Sequence, residues 1–411
     1  MFTNRLAARV SASSANFGAL RSGRTVVTVA TIAILAIPIT QCSAQTLPSG
    51  SLGSADSSSE VPTEDTLPEL AVTTVLDGLD HPWDVVAAPD GTILTGQRSR
   101  GFVVRRSDNT TGPVAADLSD LYARSETGLM GIALARDFAQ SRTLYTCQGF
   151  SAGGVTDIRV ISWTVDAGWT ELTRTGTVLS GLPVSSGRHG GCRILAAEDG
   201  TLFVGTGDSA NPGVPQDPNS LGGKVLHVNA DGTPAAGNPD PSSPVYTLGH
   251  RNVQGLAVQP GTGRLYSVEQ GTSVDDELNL LTPGGNYGYR PDRAPGTYDE
   301  SVPMTDPSRV PGAIEAVWSS GNSTLATASA AFASGRQWGQ WDGSVVIGGL
   351  KSKKLIFLRL SDDGRSVDAQ AYGLENQYGR LRSVTPTANG SLLVTTDNGD
   401  NDSVLLVTPT P

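Results

Sequence analysis

Asp199-Gly200-Thr201-Leu202-Phe203-Val204-Gly205-Thr206-Gly207-Asp208 is a turn that feeds an apolar strand. Asp-Gly supplies the tight turn, and the residues after it suit a half-buried β-strand. The unit recurs as PDGTILTG at 89–96, SRTLYTCQG at 141–149, TGRLYSVEQG at 262–271, DGSVVIGGL at 342–350 and NGSLLVTTDNGD at 389–400, which makes six copies. A partner strand usually precedes each copy (DVVAAP, GIALAR, RILAAE, GLAVQP, RSVTPT), and a strand such as RVISWTV or LIFLRL often follows. Sheets of this kind set radially predict an all-β fold, a six-bladed β-propeller. Recurrence over the whole body disfavours the other all-β solution, a pair of β-sandwich domains. The last repeat shows only RLRSVTPT, SLLVTTD and SVLLVTP; LAVTTVLDGL at 70–79 is expected to add the fourth strand and join the two ends of the domain.

Composition agrees. The 411 residues include 49 Gly and 25 Pro, with 17% charged and 6% aromatic residues, as expected of short strands and many turns. The net charge of −11 argues against a nucleic-acid partner, which calls for a basic face.

Residues 1–44 read as a targeting segment. Arg5, Arg9, Arg21 and Arg24 precede an apolar run, Val26–Thr40, that is short for a membrane span. Three fates are open: lipidation of Cys42, which would anchor the chain to a membrane; cleavage after Ala44; or an uncleaved anchor. Each predicts an extracytoplasmic body, secreted or anchored. Residues 45–68, rich in Ser, Pro and acids, read as a flexible tether. Residues 69–411 form the propeller domain. Its two cysteines, Cys147 and Cys192, form either one disulfide or two buried thiols.

Three groups could carry chemistry. His189 lies in SSGRHGGCRI, where glycines permit close approach of a ligand, and imidazole is the usual general base near neutral pH. His81, His227 and His250 have structural readings. Arg251, Lys351, Arg380 and Arg382 lie at strand edges of different repeats. Gathered at the propeller axis they would repel one another unless an anionic ligand, such as a polycarboxylate, neutralised them. Asp275-Asp276-Glu277 and the glycine-rich GGNYG offer the oxygen ligands calcium prefers, without EF-hand spacing. No zinc spacing, nucleophile elbow, Walker loop or dinucleotide fingerprint stands in a credible context.

In order along the chain, HPWDVVAAPDG, ETGLMGIALARDF, RHGGCRILAAEDGTLFVGTGD, LGGKVLHVNADGTPAAGNP, GHRNVQGLAVQP, VEQGTSVDDELNLLTPGGNYGY, GGLKSKKL and GRLRSVTPTANGSLLVTTDN resemble the soluble PQQ-dependent glucose/sorbosone, or aldose sugar, dehydrogenases. The resemblance covers residues 69–411. It implies a six-bladed propeller with PQQ, a tricarboxylate quinone, on its axis, oxidation of an aldose to its lactone, and an unidentified electron acceptor.

By that resemblance His189 is the general base, and Arg251 polarises the quinone oxygens with Asn252 beside it. Lys351, Arg380 and Arg382 hold the carboxylates and ring, and Thr324 contacts the cofactor. The carbonyls of Gly271 and Thr272 hold a calcium ion against PQQ. Glu277 and the Tyr287 carbonyl hold a second, structural calcium. Glu126 stands where the glucose dehydrogenase branch has a Gln near substrate and cofactor, Thr272 replaces a common Pro, and Gln270 stands where many members have His. A non-catalytic, calcium-stabilised binding propeller and a calcium-dependent lactonase are the competing readings.

Overall fold

The computed structural model describes residues 66–410; the targeting segment, Cys42 and the tether up to residue 65 lie outside them. Along the chain run β1 (Leu70–Leu79), β2 (Pro82–Ala87), β3 (Ile93–Gln97), β4 (Phe102–Arg105), β5 (Thr111–Ala116) and β6 (Leu129–Leu134). Next come β7 (Thr143–Ala152), β8 (Val155–Val165), β9 (Glu171–Leu182), β10 (Gly191–Ala196), β11 (Leu202–Thr206), β12 (Lys224–Val228) and β13 (Val245–Leu248). Then follow β14 (Val253–Val258), β15 (Leu265–Glu269), β16 (Glu277–Leu280), β17 (Trp318–Ser319), β18 (Thr327–Phe332), β19 (Val345–Gly349), β20 (Lys354–Leu360) and β21 (Val367–Gly373). The last three are β22 (Leu381–Pro386), β23 (Leu392–Thr396) and β24 (Asp402–Pro409). Among the described residues helix is confined to one turn at Phe138–Ser141 and a short 3-10 segment at Arg336–Trp341.

The fold is all-β. β10–β13, β14–β17 and β18–β21 are antiparallel four-stranded meanders. β2–β5 and β6–β9 are two more, joined edge to edge by a two-residue parallel pairing of Ala115 and Ala116 with Glu171 and Leu172. The last sheet runs β1-β24-β23-β22, so the N-terminal strand supplies its outer edge as expected.

All six recurring turn-strand units form the second strand of their sheets: β3, β7, β11, β15, β19 and β23. The leading strands pack in succession, β2 on β6, β6 on β10, β10 on β14, β14 on β18, β18 on β22, and β22 on β2. Two glycines show how close they come. A Cβ on Gly131 of β6 would lie 2.3 Å from the Cys192 carbonyl oxygen, and one on Gly255 of β14 would lie 2.8 Å from the Ala330 amide nitrogen. The core fills the gaps between sheets: Leu94 and Val104 meet Leu129 and Trp163, and Val346 and Phe357 meet Val394 and Leu405.

Cys147 of β7 and Cys192 of β10 are bridged, with Cα atoms 5.5 Å apart, which settles the open choice and ties two sheets together. β18 was not visible beforehand. Its Thr-Ala-Ser-Ala-Ala-Phe has one large apolar residue, because small residues suffice where strands crowd together.

Each leading strand breaks register with its neighbour near its first residues: Pro82/Asp84, Leu129/Ile132, Gly191/Arg193, Val253/Gly255, Thr327/Ser329 and Leu381/Val384. A bulge re-aims the side chain it carries. Antiparallel pairing puts the starts of leading strands and the ends of second strands at the same end of the fold. The candidate residues lie there.

Candidate active site

His189 sits in the turn before β10 with φ +50° and is 3% exposed. Its Nδ1 lies 2.8 Å from Asp208 Oδ1, just past the end of β11. A carboxylate only accepts, so Nδ1 carries the proton and Nε2 the lone pair. The Tyr298 hydroxyl donates to Asp208 Oδ2 at 2.6 Å and receives a bond from the Tyr289 hydroxyl at 3.0 Å. Burial, then the Asp208 carboxylate, holds the Tyr298 phenol far above its ordinary range, so it stays a donor. The His189 amide donates to Glu126 Oε2 at 2.9 Å, which braces the left-handed turn. Arg188 Nη2 lies 3.4 Å from His189 Nε2 and pairs with Glu300.

The next turn is locked to this one. Asn252 Oδ1 accepts the Gly191 amide at 2.9 Å, and a Cβ on Gly207 would lie 1.9 Å from the His189 carbonyl oxygen. Arg251 is 4% exposed; its amide bonds Glu269, its Nη1 bonds the Gln270 carbonyl, and its Nη2 is 3.8 Å from Glu300. Two buried donors here have no acceptor among the described residues: Arg251 Nε and Asn252 Nδ2. Below, the buried Lys224 ammonium donates to the carbonyls of Val214, Pro215 and Gly222, which holds the segment after Asp208. Burial pulls its pKa down to about 8.

The four candidate cations occupy this end of the fold but differ in their partners. Arg382, inside the β22 bulge, bonds Asp397 through Nε and Nη2 at 3.0 and 2.7 Å and reaches Gln254 Oε1. Arg380 donates to the Asp397 carbonyl and lies 3.6 Å from its carboxylate. A further buried cation, Arg193, pairs with Asp84 at 2.6 Å. Arg193 and Arg382 both lie over the Trp83 ring. The protein's own carboxylates therefore answer much of the mutual repulsion that the sequence assigned to a bound anion. Lys351 is exposed, and its side chain has no ion pair among the described residues. The demand for an anion rests on Lys351, Arg251 and Asn252.

The acidic run separates into three environments. Asp275 takes the Ser319 hydroxyl. Asp276 is an internal hub that accepts from the Gly271 amide, the Thr324 hydroxyl and the Leu325 amide, which ties Thr324 to the loop of Gly271. Burial raises the Asp276 pKa. Glu277, at the start of β16, turns to Asn279 and Thr305, and the Thr305 hydroxyl bridges it to the Tyr287 carbonyl. Burial and the nearby Glu269 carboxylate push Glu277 well above the ordinary carboxylate range. Asn279 Oδ1 is buried without a partner among the described residues. The carbonyls of Gly271 and Thr272 accept no backbone hydrogen bond among the described residues.

Sequence reasoning missed Asp208, Tyr298, Glu300, Glu269 and Asp397. A signal existed for three of them. Asp208, Glu269 and Asp397 each stand at or just past the end of the second strand of a repeat. Tyr298 and Glu300 come from the irregular segment after β16 and carry no pattern.

The family model described as Glucose / Sorbosone dehydrogenase matches residues 79–406. The chain is 29% identical to an aldose sugar dehydrogenase of Escherichia coli K12 over 351 residues, 82% of this chain and 92% of that one. It is 32% identical to quinoprotein glucose dehydrogenase B of Acinetobacter calcoaceticus over 248 residues, 52% of this chain and 51% of that one. The PQQ-bound aldose sugar dehydrogenase of Streptomyces coelicolor superimposes with a TM-score of 0.69 at 31% identity, covering 83% of this chain and 99% of that one. The chain thus belongs to the glucose/sorbosone dehydrogenase family, a family of oxidoreductases.

Proposed function

We propose that this protein is a PQQ- and calcium-dependent aldose sugar dehydrogenase, a six-bladed propeller whose four-stranded units surround the His189 end of the axis. The observation that carries the reading is the juxtaposition of a base and unpaired donors. His189, with its lone pair on Nε2, stands in the turn that Asn252 locks through the Gly191 amide, and the buried Arg251 Nε and Asn252 Nδ2 have no acceptor among the described residues. An anionic quinone with carboxylate arms fits those donors and Lys351. Two oxygen-rich places fit calcium: the free carbonyls of Gly271 and Thr272, and the buried Glu277, Asn279 and Tyr287 carbonyl group. When bound, PQQ supplies the quinone that accepts the anomeric hydride.

The chain's own residues do the rest. His189 Nε2 takes the proton of the anomeric hydroxyl, and Asp208 stabilises the imidazolium that forms. Tyr298 holds Asp208 in place. Arg251 and Asn252 stabilise negative charge developing on oxygen. Lys351, Arg380 and Arg382 orient the cofactor, with Arg382 fixed by Asp397. Glu126 faces the substrate side and braces the His189 turn. The Cys147–Cys192 bridge supports an extracytoplasmic site of action.

Calorimetric titration of the metal-stripped protein with PQQ, with and without calcium, followed by a dye-linked assay on a panel of aldoses, tests the proposal. One-to-one binding that needs calcium, with sugar-dependent dye reduction, is the expected result. Absence of binding would move the chain to the non-catalytic propellers.

Two variants refine it. Glu277→Gln should abolish the calcium-dependent rise in Tm, because the neutral amide no longer attracts the ion; an unchanged rise would place the structural calcium elsewhere. Glu126→Gln keeps an acceptor for the His189 amide. It should change KM and sugar preference by several-fold with little change in Tm; identical kinetics on every sugar would remove Glu126 from the substrate side.

A further inference from the structure

His81, Asp397 and Asp402 come together at the seam of the domain, where the turn from β1 into β2 meets the β23–β24 turn. One ring nitrogen of His81 and one carboxylate oxygen each of Asp397 and Asp402 all lie within 4.8 Å of one another. No hydrogen bond or ion pair joins any two of these side chains. Three unbonded ligand atoms this close together suit a shared central atom.

Asp397 is 4% exposed and its Oδ1 has no partner among the described residues, while Arg382 occupies its Oδ2. A buried carboxylate oxygen without a donor is costly unless something answers it. The other two groups are aimed from outside the cluster. Asp402 is fully buried, held by the Thr396 hydroxyl and by the Asn398 and Gly399 amides. His81 Nδ1 lies 2.6 Å from the Asp80 carboxylate, which is itself held by Arg100 and by its own amide's bond to Gln97. That is the carboxylate–histidine arrangement that fixes a metal-binding imidazole, and it leaves Nε2 without a hydrogen-bond partner among the described residues. His81 adopts a left-handed backbone, φ +48°, and its amide bonds the Gly399 carbonyl, so the backbone is committed to this juncture.

We propose that His81, Asp397 and Asp402 bind one divalent first-row transition ion of the Zn2+ or Mn2+ kind. One imidazole and two carboxylates form a mixed nitrogen and oxygen set that suits such ions better than Mg2+ or Ca2+, which favour all-oxygen shells. Metal–ligand bonds of about 2.0–2.2 Å place neighbouring ligands about 3–3.5 Å apart, so the three groups close inward on the ion when it binds. The ion takes Asp397 through its free oxygen and leaves the Arg382 pair intact. It staples the strand that opens the domain to the hairpin that ends it, and it does not depend on the redox reading of the His189 site.

The test is calorimetric titration of the full, chelator-stripped protein with Zn2+ in saturating calcium, repeated with Mn2+ and paired with thermal melts. Wild type should bind one equivalent with a rise in Tm. His81→Asn, which tolerates a left-handed backbone but lacks the imidazole ligand, and Asp397→Asn should each bind that equivalent at least about tenfold more weakly. Should either variant fold poorly, the His81 ring resonance in wild type, one of four histidines, must still move on Zn2+ addition. No uptake by wild type, binding by both variants equal to wild type, or a static His81 resonance would overturn the site and leave a water-filled gap.

Discussion

His189→Gln is expected to lower kcat about a thousandfold or more, within the range that loss of a positioned general base produces, and to leave PQQ affinity nearly unchanged. The glutamine amide can still donate to Asp208 and preserve the turn, but it offers no titratable lone pair at the Nε2 position. The donors assigned to the cofactor, Arg251 Nε and Asn252 Nδ2, are untouched. Glutamine is less suited than histidine to φ +50°, which costs about 1 kcal/mol and a small fall in Tm. His189→Asn, easier in that backbone, controls for this: it should be equally inactive without the fall. Asp208→Asn should lose about 10²–10⁴ in kcat, because the imidazolium then forms without a facing charge. Turnover of His189→Gln within a few-fold of wild type would remove the base role. A wild type that oxidises no aldose despite bound PQQ would point instead to an untested substrate.

Legibility followed the range of the interactions. A turn and the strand behind it are local, so all six second strands were visible from Asp-Gly, Asn-Gly and their equivalents. β18 escaped because its environment, not its own residues, makes it a strand. At the site, His189, Arg251 and Asn252 stood out by residue type and glycine context. Their partners did not. Tyr298 lies 90 residues from Asp208, and Glu300 lies 112 from Arg188, so no spacing could join them. The charge argument fell short for the same reason. Arg382 looked like a cation awaiting a ligand, whereas Asp397, 15 residues on and one strand across, already neutralises it. Reading only the cations of a β-sheet repeat overstates the charge, because the adjacent strand end can carry the counter-ion.

Deletion of residues 69–79 should abolish cooperative unfolding, or lower Tm so far that little folded protein remains at ordinary temperature. β1 is the outer edge of the last sheet, and its register with β24 runs from Leu70 against Pro409 to Leu79 against Asp402. Its apolar side chains sit in two different cores. Leu70 and Val72 pack with Trp338, Phe357 and Leu405, whereas Leu76 and Leu79, 5% and 2% exposed, pack with Val85, Ile93, Leu393 and Val404. Fully burying one such side chain is worth roughly 1.5–3 kcal/mol. The two fully buried residues and the half-buried Leu70, Val72 and Val75 together are worth on the order of 5–10 kcal/mol, comparable to the 5–15 kcal/mol by which whole domains are stable. The deletion also strips hydrogen bonds from the β24 edge, which then templates aggregation. Leu79→Ala and Leu76→Ala give a graded version, about 2–4 kcal/mol each, with nearly additive losses only if the register shift between them keeps the two sites independent. A truncated protein that melts like the parent would show that the ring closes without its first strand. Selective loss in Leu70→Ala and Val72→Ala, with Leu76→Ala neutral, would place the closing energy in the β21–β22 core rather than at the seam with β2.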